Sequence, residues 1–267
     1  MRLAKRAVFS VIHRIPAPVR RAFLQNELSE CRARITHRFL QEFGNIVQSG
    51  PFKGMEIPSE PSWGDGDRLQ KLLGSYESEL HQWISRILAR RYDTILNIGC
   101  AEGYYAVGLA RSAPPMTEVF AYDINPVARR VCARAAEKNG VRDRVKVLGR
   151  CSSESLRGVL LQGGRSFAFV DCEGAELELL RPDRVPMLRD TDILVECHDF
   201  VDPSITGTLY RRLSPTHSIE RVDEGPRDPN QFPFLKGLSG IERSLAVCEF
   251  RPEMMHWLLC TVKRIRK

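Results

Sequence analysis

The sequence predicts a doubly wound α/β fold: a mostly parallel seven-stranded sheet with an N-terminal helical extension. Three observations carry this. From Thr94 onward, short apolar runs alternate with segments of helical periodicity, the pattern of a parallel sheet with crossover helices. The stretch 94–109, TILNIGCAEGYYAVGL, reads as a buried strand, a small-residue turn and a helix opening at once behind it. Asp123, Cys151, Asp171 and His198 each fall just after an expected strand, and right-handed crossovers gather those strand ends on one edge. The expected organisation is a basic helical extension over residues 1–49 and an α/β domain over 50–267.

The elements follow in order. Leu3, Val8, Val11, Ile12 and Ile15 share one face of a basic helix over residues 2–15, which Pro16 and Pro18 break. Leu24, Leu28, Ile35, Phe39 and Phe43 mark a second helix, ending near Gly44. Residues 50–67, with Pro51, Pro58, Pro61 and the turn Trp63-Gly64-Asp65-Gly66, read as an irregular connection. Tyr76, Leu80, Trp83, Ile84, Ile87 and Leu88 predict a helix starting at Gly74 and packing on the sheet. After the glycine turn, strands are expected at 118–122, 145–148, 167–170, 193–196, 217–222 and 257–262. Asn125-Pro126 is an N-cap followed by the residue suited to the first helical position, and Asn139-Gly140 closes that helix. Ser152 and Ser153 cap a short helix, Ala175 to Leu180 forms another, and Asp202-Pro203 opens one carrying Ile205, Leu209 and Leu213. Residues 221–240, holding Pro226, Pro229 and Pro233, read as a loop and a candidate cover for an acceptor pocket.

Composition narrows the function. With 43% hydrophobic and 27% charged residues, the chain is ordinary for a soluble globular protein and long enough to need no staples. Its net charge of +7 is concentrated: residues 1–50 carry nine Lys or Arg against Glu27, Glu30 and Glu42, leaving the main domain almost neutral. That argues against nucleic acid as a partner and directs the basic character to residues 1–20, a candidate contact with a membrane surface or a protein. Packing of that helix on its own domain is the plainer alternative. None of the eight cysteines forms a CxxC pair, and Cys172, Cys197 and Cys260 sit in apolar runs, which implies a reducing, cytoplasmic setting, peripheral at the inner membrane surface if residues 1–20 meet lipid. No run approaches the ~18 apolar residues of a membrane span.

The glycine turn is a ligand cradle, because unpaired N–H groups at a helix start point outward and the dipole there is positive. A dinucleotide fingerprint places its third glycine five residues after the first, where this chain has Tyr104. Here Gly99, Ala101 and Gly103 alternate instead. Asp123 follows the second strand, where a carboxylate accepts ribose hydroxyls, and Ile124 adjoins it. Cys151 and Ser152 either border the base or only cap the next helix. Asp171-Cys172-Glu173-Gly174-Ala175-Glu176 crowds three carboxylates at a strand-to-helix junction. A solvated helix start accounts for Glu176 and less well for Asp171. Glu196 follows a buried run and needs a partner, and His198 is a candidate general base. Asp171, Glu196 and His198 are also a conceivable divalent-ion set, but no tight spacing supports it and no metal is expected.

NIGCAEGYYAVGLA, AYDINP, FVDCEGAELELL and ILVECHDF resemble the FkbM-type S-adenosylmethionine-dependent methyltransferases, a Rossmann-like branch. GPFKGM at 50–55 and KLLGSYESEL at 71–80 resemble its lead-in, so the likeness runs from about residue 50 to the last strand. The resemblance implies S-adenosyl-L-methionine as cofactor and methyl transfer, usually to a hydroxyl of a sugar, glycan or other small metabolite. It places Gly99, Ala101, Gly103, Asp123 and Asp171 at cofactor-side motif positions. Asn97, Tyr104, Ile124, Cys151 and Ser152 complete the expected cofactor-side set, and His198, Glu173 and Asp171 are the catalytic candidates. Asn97 stands where an acidic residue is common, and Ala101 replaces the middle glycine. A nicotinamide-dependent oxidoreductase and a non-catalytic nucleoside-fold adaptor remain as alternatives.

Overall fold

A computed structural model describes residues 16–60 and 67–263. The helix expected over 2–15 and the turn at 63–66 lie outside the described residues. The chain forms two compact units. The smaller comprises residues up to Gly44 together with Asp228–Cys248, and the larger comprises Asn45–Arg227 with the chain from Glu249 onward.

In the smaller unit, helix α1 (Ala17–Phe43) starts at Pro16 and takes Pro18 in its first turn, where a missing N–H costs nothing. It buries Ile35 and Phe39, and Phe39 meets Phe234 edge-on at 5.1 Å. The expected loop 221–240 is more ordered than its prolines suggest. It contains two short 3₁₀ turns, Pro229–Gln231 and Pro233–Gly237, and leads into a further helix, Gly240–Val247, opened by a capping box between Ser239 and Glu242.

The larger unit begins with α2 (Arg68–Leu73), then a 3₁₀ turn (Ser78–Leu80) and α3 (His81–Ala89). The helix expected from Gly74 therefore starts later. Gly74 is instead the left-handed end of α2, at φ +81°, and a Cβ there would lie 2.1 Å from the Ser49 carbonyl oxygen. Tyr76 is released from the helical stripe as a result.

Strands β1 (Thr94–Ile98), β2 (Glu118–Tyr122), β3 (Val145–Leu148), β4 (Ser166–Val170), β5 (Thr191–Glu196), β6 (His217–Asp223) and β7 (His256–Val262) form one sheet in the order β3-β2-β1-β4-β5-β7-β6. The helices between them are α4 (Tyr104–Ser112), α5 (Pro126–Lys138), α6 (Ser153–Leu160), α7 (Glu176–Leu179) and α8 (Ile205–Leu213). Leu96, Ile98, Phe120, Ala168 and Val170 share a core with Leu156 of α6 and Leu209 of α8. Their strand neighbours face the other way, where Tyr105 of α4 stacks on Phe169 at 4.0 Å. Alternating side chains thus put helices on both faces.

The sheet is mixed rather than purely parallel. β7 runs antiparallel to both β5 and β6. The reason is local: the Glu224 N–H donates to the Met255 carbonyl at 2.8 Å, so the excursion after β6 returns to the edge it left and makes no crossover. The reversal leaves the carboxyl ends of β1 to β5 together on one edge.

Candidate functional site

A cavity of about 540 Å³ opens at that edge, within the larger unit. Ile98, Gly99, Ala101, Asp123, Ile124, Cys151, Asp171 and Glu173 all line it. These come from the ends of β1, β2, β3 and β4, whose register aligns Ile98 with Tyr122 and with Val170.

Gly99 is required by contact rather than by turn shape alone. Its φ is +83°, and a Cβ would sit 1.6 Å from the Asp171 carbonyl oxygen, so β1 and β4 close on each other only through a glycine. Ala101 adopts φ +45°, a left-handed backbone that glycine would take at lower cost. Asp123 is buried and pins the turn: one carboxylate oxygen accepts from Ala101 N–H at 2.9 Å, the other from Asn125 N–H at 2.7 Å. Each oxygen keeps a further lone pair for a ligand. This turn role leaves room for the ligand role expected from sequence.

Other residues expected at the cofactor side are placed differently. Asn97, Gly103, Tyr104 and Ser152 do not line the cavity. Gly103 packs against Cys132 of α5, and Ser152 is a helix cap whose side chain accepts from Ser155 N–H at 3.2 Å. Tyr104 opens α4 and is packed between Phe52 and Tyr76 with its hydroxyl buried and unpaired. Both polar atoms of the Asn97 amide are likewise buried without a partner. No neighbouring donor greets that position, so an ionised acid there would cost far more than the neutral amide.

His198 stands beside the cavity, 2% exposed, at the end of β5. Its Nδ1 lies 2.7 Å from Glu176 Oε1, and its Nε2 lies 3.5 Å from Asp171 Oδ1 and 3.5 Å from Glu173 Oε2. Its hydrogen bond and charge hold the Glu176 carboxyl ionised, and an ionised carboxylate can only accept, so Nδ1 carries the proton donated to Glu176 and Nε2 faces the carboxylates that line the cavity. Burial alone would lower the His198 pKa, but the hydrogen bond to Glu176 and the charges of Asp171, Glu176 and Glu173 raise it. Glu173 is largely exposed, so water screens its share. Burial, then Glu77, push Asp171 up to about 7, against the pull of His198.

Glu176 corrects the expectation of a solvated helix start. It has no exposed surface, its Oε1 also accepts from Gly174 N–H at 3.2 Å, and His198 draws its pKa down despite burial. The sequence signal was present, three carboxylates in six residues, but a first-turn acid is also what a helix dipole favours.

Behind the site runs a buried charge network. Arg251 binds Glu196 Oε1 at 2.6 Å, Glu77 Oε1 at 2.7 Å and Glu249 Oε2 at 3.1 Å, while Tyr105 donates to Glu77. Glu196 thus has the partner its burial demands. Asp171, Glu196 and His198 also bring donor atoms within 4.8 Å of one another. There the Arg251 guanidinium already supplies a countercharge to Glu196.

Tyr76, expected first against the sheet and only secondarily near the cofactor, faces the cavity. Lys71, Glu102 and Arg150 also line it and were not singled out from sequence. Of the segment 221–240, the part that belongs to the larger unit, 221–227, does not line it.

No protein-family model matches the chain, and no curated protein does. Among solved structures, an O-methyltransferase from Bacillus cereus in complex with S-adenosylhomocysteine is 16% identical, with 78% of this chain and 84% of that one covered at a TM-score of 0.47. An O-methyltransferase of tomaymycin synthesis from Streptomyces achromogenes, in complex with S-adenosylmethionine, is 14% identical over 77% and 92%, at 0.45. A precorrin-6y C5,15-methyltransferase from Geobacter metallireducens is 12% identical over 70% and 90%, at 0.47.

Proposed function

We propose that the protein is an S-adenosylmethionine-dependent methyltransferase of the FkbM type that methylates a hydroxyl oxygen of a sugar, glycan or other small metabolite. One observation carries this reading: a single cavity joins the Gly99 turn and Asp123 to Asp171, with His198 oriented behind it by Glu176. The FkbM assignment rests on the segment FVDCEGAELELL, whose Asp171, Glu173 and Glu176 surround that histidine.

The residues present suit the cofactor. The cavity volume falls in the range of small-molecule sites, about 300–1,000 Å³. Asp123 would accept the ribose hydroxyls, Gly99 and Ala101 admit close approach to the backbone, and Cys151 and Ile124 would border the base. The cofactor supplies an electrophilic methyl group on a sulfonium. The chain's own part is to hold an acceptor oxygen in line, exclude water and manage a proton. His198 Nε2 takes the hydroxyl proton while Glu176 holds the Nδ1–H tautomer and favours the imidazolium that results. Asp171 and Glu173, beside Nε2, orient a neutral hydroxylated acceptor and disfavour an anionic one.

Incubation with donor labelled on its methyl group and fractionated cell extract tests this. Label should enter a neutral, hydroxylated fraction, and His198→Ala should cut turnover while leaving cofactor affinity unchanged. Equal turnover in the variant removes His198 from the mechanism, and label in no fraction overturns the reading.

A further inference from the structure

The first half of α1 stands in solvent. From Ala17 to Glu27 every residue except Arg20 is exposed, whereas the second half of the helix buries Ile35 and Phe39. Val19, Phe23 and Leu24 lie in this bare stretch at 44%, 65% and 59% exposure. At 3.6 residues per turn the three span an arc of roughly 140°, a broad apolar flank. No side chain caps the start of α1 and no acid sits in its first turn, while Arg20 and Arg21 follow at once. Cations there oppose the helix dipole, and so short a stretch is marginal as a helix by itself. A surface laid against the flank would stabilise it.

Charge says what that surface is. The chain carries Arg2, Lys5, Arg6, Arg14, Arg20 and Arg21 before its first acid, Glu27. Two copies of such a segment would repel each other, and cations spread along its whole length suit an extended anionic plane better than one acidic groove. A bilayer with anionic lipids meets both demands: headgroup phosphates attract the cations, and the apolar flank enters the boundary with the acyl chains. α1 is not long and apolar enough to cross a membrane, so it would lie along the surface. We infer that the first half of α1, through Val19, Phe23, Leu24 and Arg21, is a docking surface for an anionic lipid membrane. This extends the contact past residues 1–20, where sequence left membrane and protein open, and it does not depend on the methyltransferase reading.

Co-sedimentation of the full chain with vesicles of phosphatidylcholine alone, and of phosphatidylcholine mixed with phosphatidylglycerol, tests it. The mixed vesicles should bind the protein ~10-fold or more tightly than the neutral ones, and raised salt should erase most of the difference. Phe23→Gln with Leu24→Gln, which removes apolar surface but no charge, should weaken binding to the mixed vesicles ~10-fold or more. Arg21→Gln should weaken it ~5-fold and leave binding to neutral vesicles unchanged. All three side chains are exposed, so both variants should keep the wild-type melting temperature, which calorimetry verifies. Residues 1–15 are intact in both. Unchanged binding by the folded double variant therefore overturns the inference, as does equal binding of the wild type to both vesicles or to neither. A lipid-free dimer in sedimentation velocity that the double variant dissociates would overturn it in favour of a second copy.

Discussion

At the scale of single residues, the site depends on which atom holds a proton. The Glu176 carboxylate fixes His198 with Nε2 toward Asp171, and the surrounding carboxylates raise the histidine pKa. A raised base is protonated over more of the neutral range, so kcat/KM should climb with pH through an apparent pKa above the ordinary histidine value of ~6.5. The limb belongs to the coupled cluster of His198 and Asp171 rather than to one group. Glu176→Gln removes a charge that favours the imidazolium, so the limb should move to lower pH and the maximal rate should fall ~10-fold or more. An unshifted limb would separate Glu176 from the proton transfer. Ala101 offers a second test. Its left-handed φ of +45° costs about 1 kcal/mol, and glycine relieves that strain although it loses more chain entropy on folding, about 0.5 kcal/mol. Ala101→Gly should therefore raise the unfolding midpoint slightly, measured by calorimetry, whereas Gly99→Ala should lower it sharply because of the Asp171 carbonyl. The alternation of Gly99, Ala101 and Gly103 was legible in the chain, and so was the need of Glu196 for a partner. The burial of Glu176 was not, since an acid in a first helical turn looks the same whether it meets water or an imidazole.

Elements were read best where period and capping agree. β1, α5 and α6 are recovered because each is bounded by its own small residues or caps: the Gly99 turn, Asn125-Pro126 and Ser152. The segment around Gly74 was misread for a physical reason. Hydrophobic period does not record where a chain turns left-handed, and only the Ser49 carbonyl, distant in sequence, makes Gly74 a stop. That stop matters for function, because it turns Tyr76 toward the cavity and seats Lys71 there. The Arg251 network ties this same segment to β5. Arg251→Met would leave Glu77 and Glu196 buried together without their cation, while Arg227 still pairs with Glu249, a change expected to cost about 3–5 kcal/mol. Urea unfolding should show that loss as a lowered midpoint at unchanged slope. A cost under about 1 kcal/mol would mean that the carboxylates are protonated and the network contributes little.

For the molecule as a whole, alternating strands and helices announced the doubly wound sheet, and the strand-end positions of Asp123, Asp171 and His198 announced the edge where the cavity lies. Pairing direction at the far edge was not announced, since a strand's own residues do not say whether its connection crosses over. The composition of 221–240 likewise concealed its 3₁₀ turns and the helix behind them, because proline suits a first helical turn as well as a loop. Among the described residues no helix is long and apolar enough to cross a membrane. The function turns on one ligand. Titration of the full chain with S-adenosylhomocysteine and, separately, with NADH measures it most directly: saturable one-site binding of the first and none of the second is the expected result, and tighter binding of NADH, or heat from neither, would contradict it.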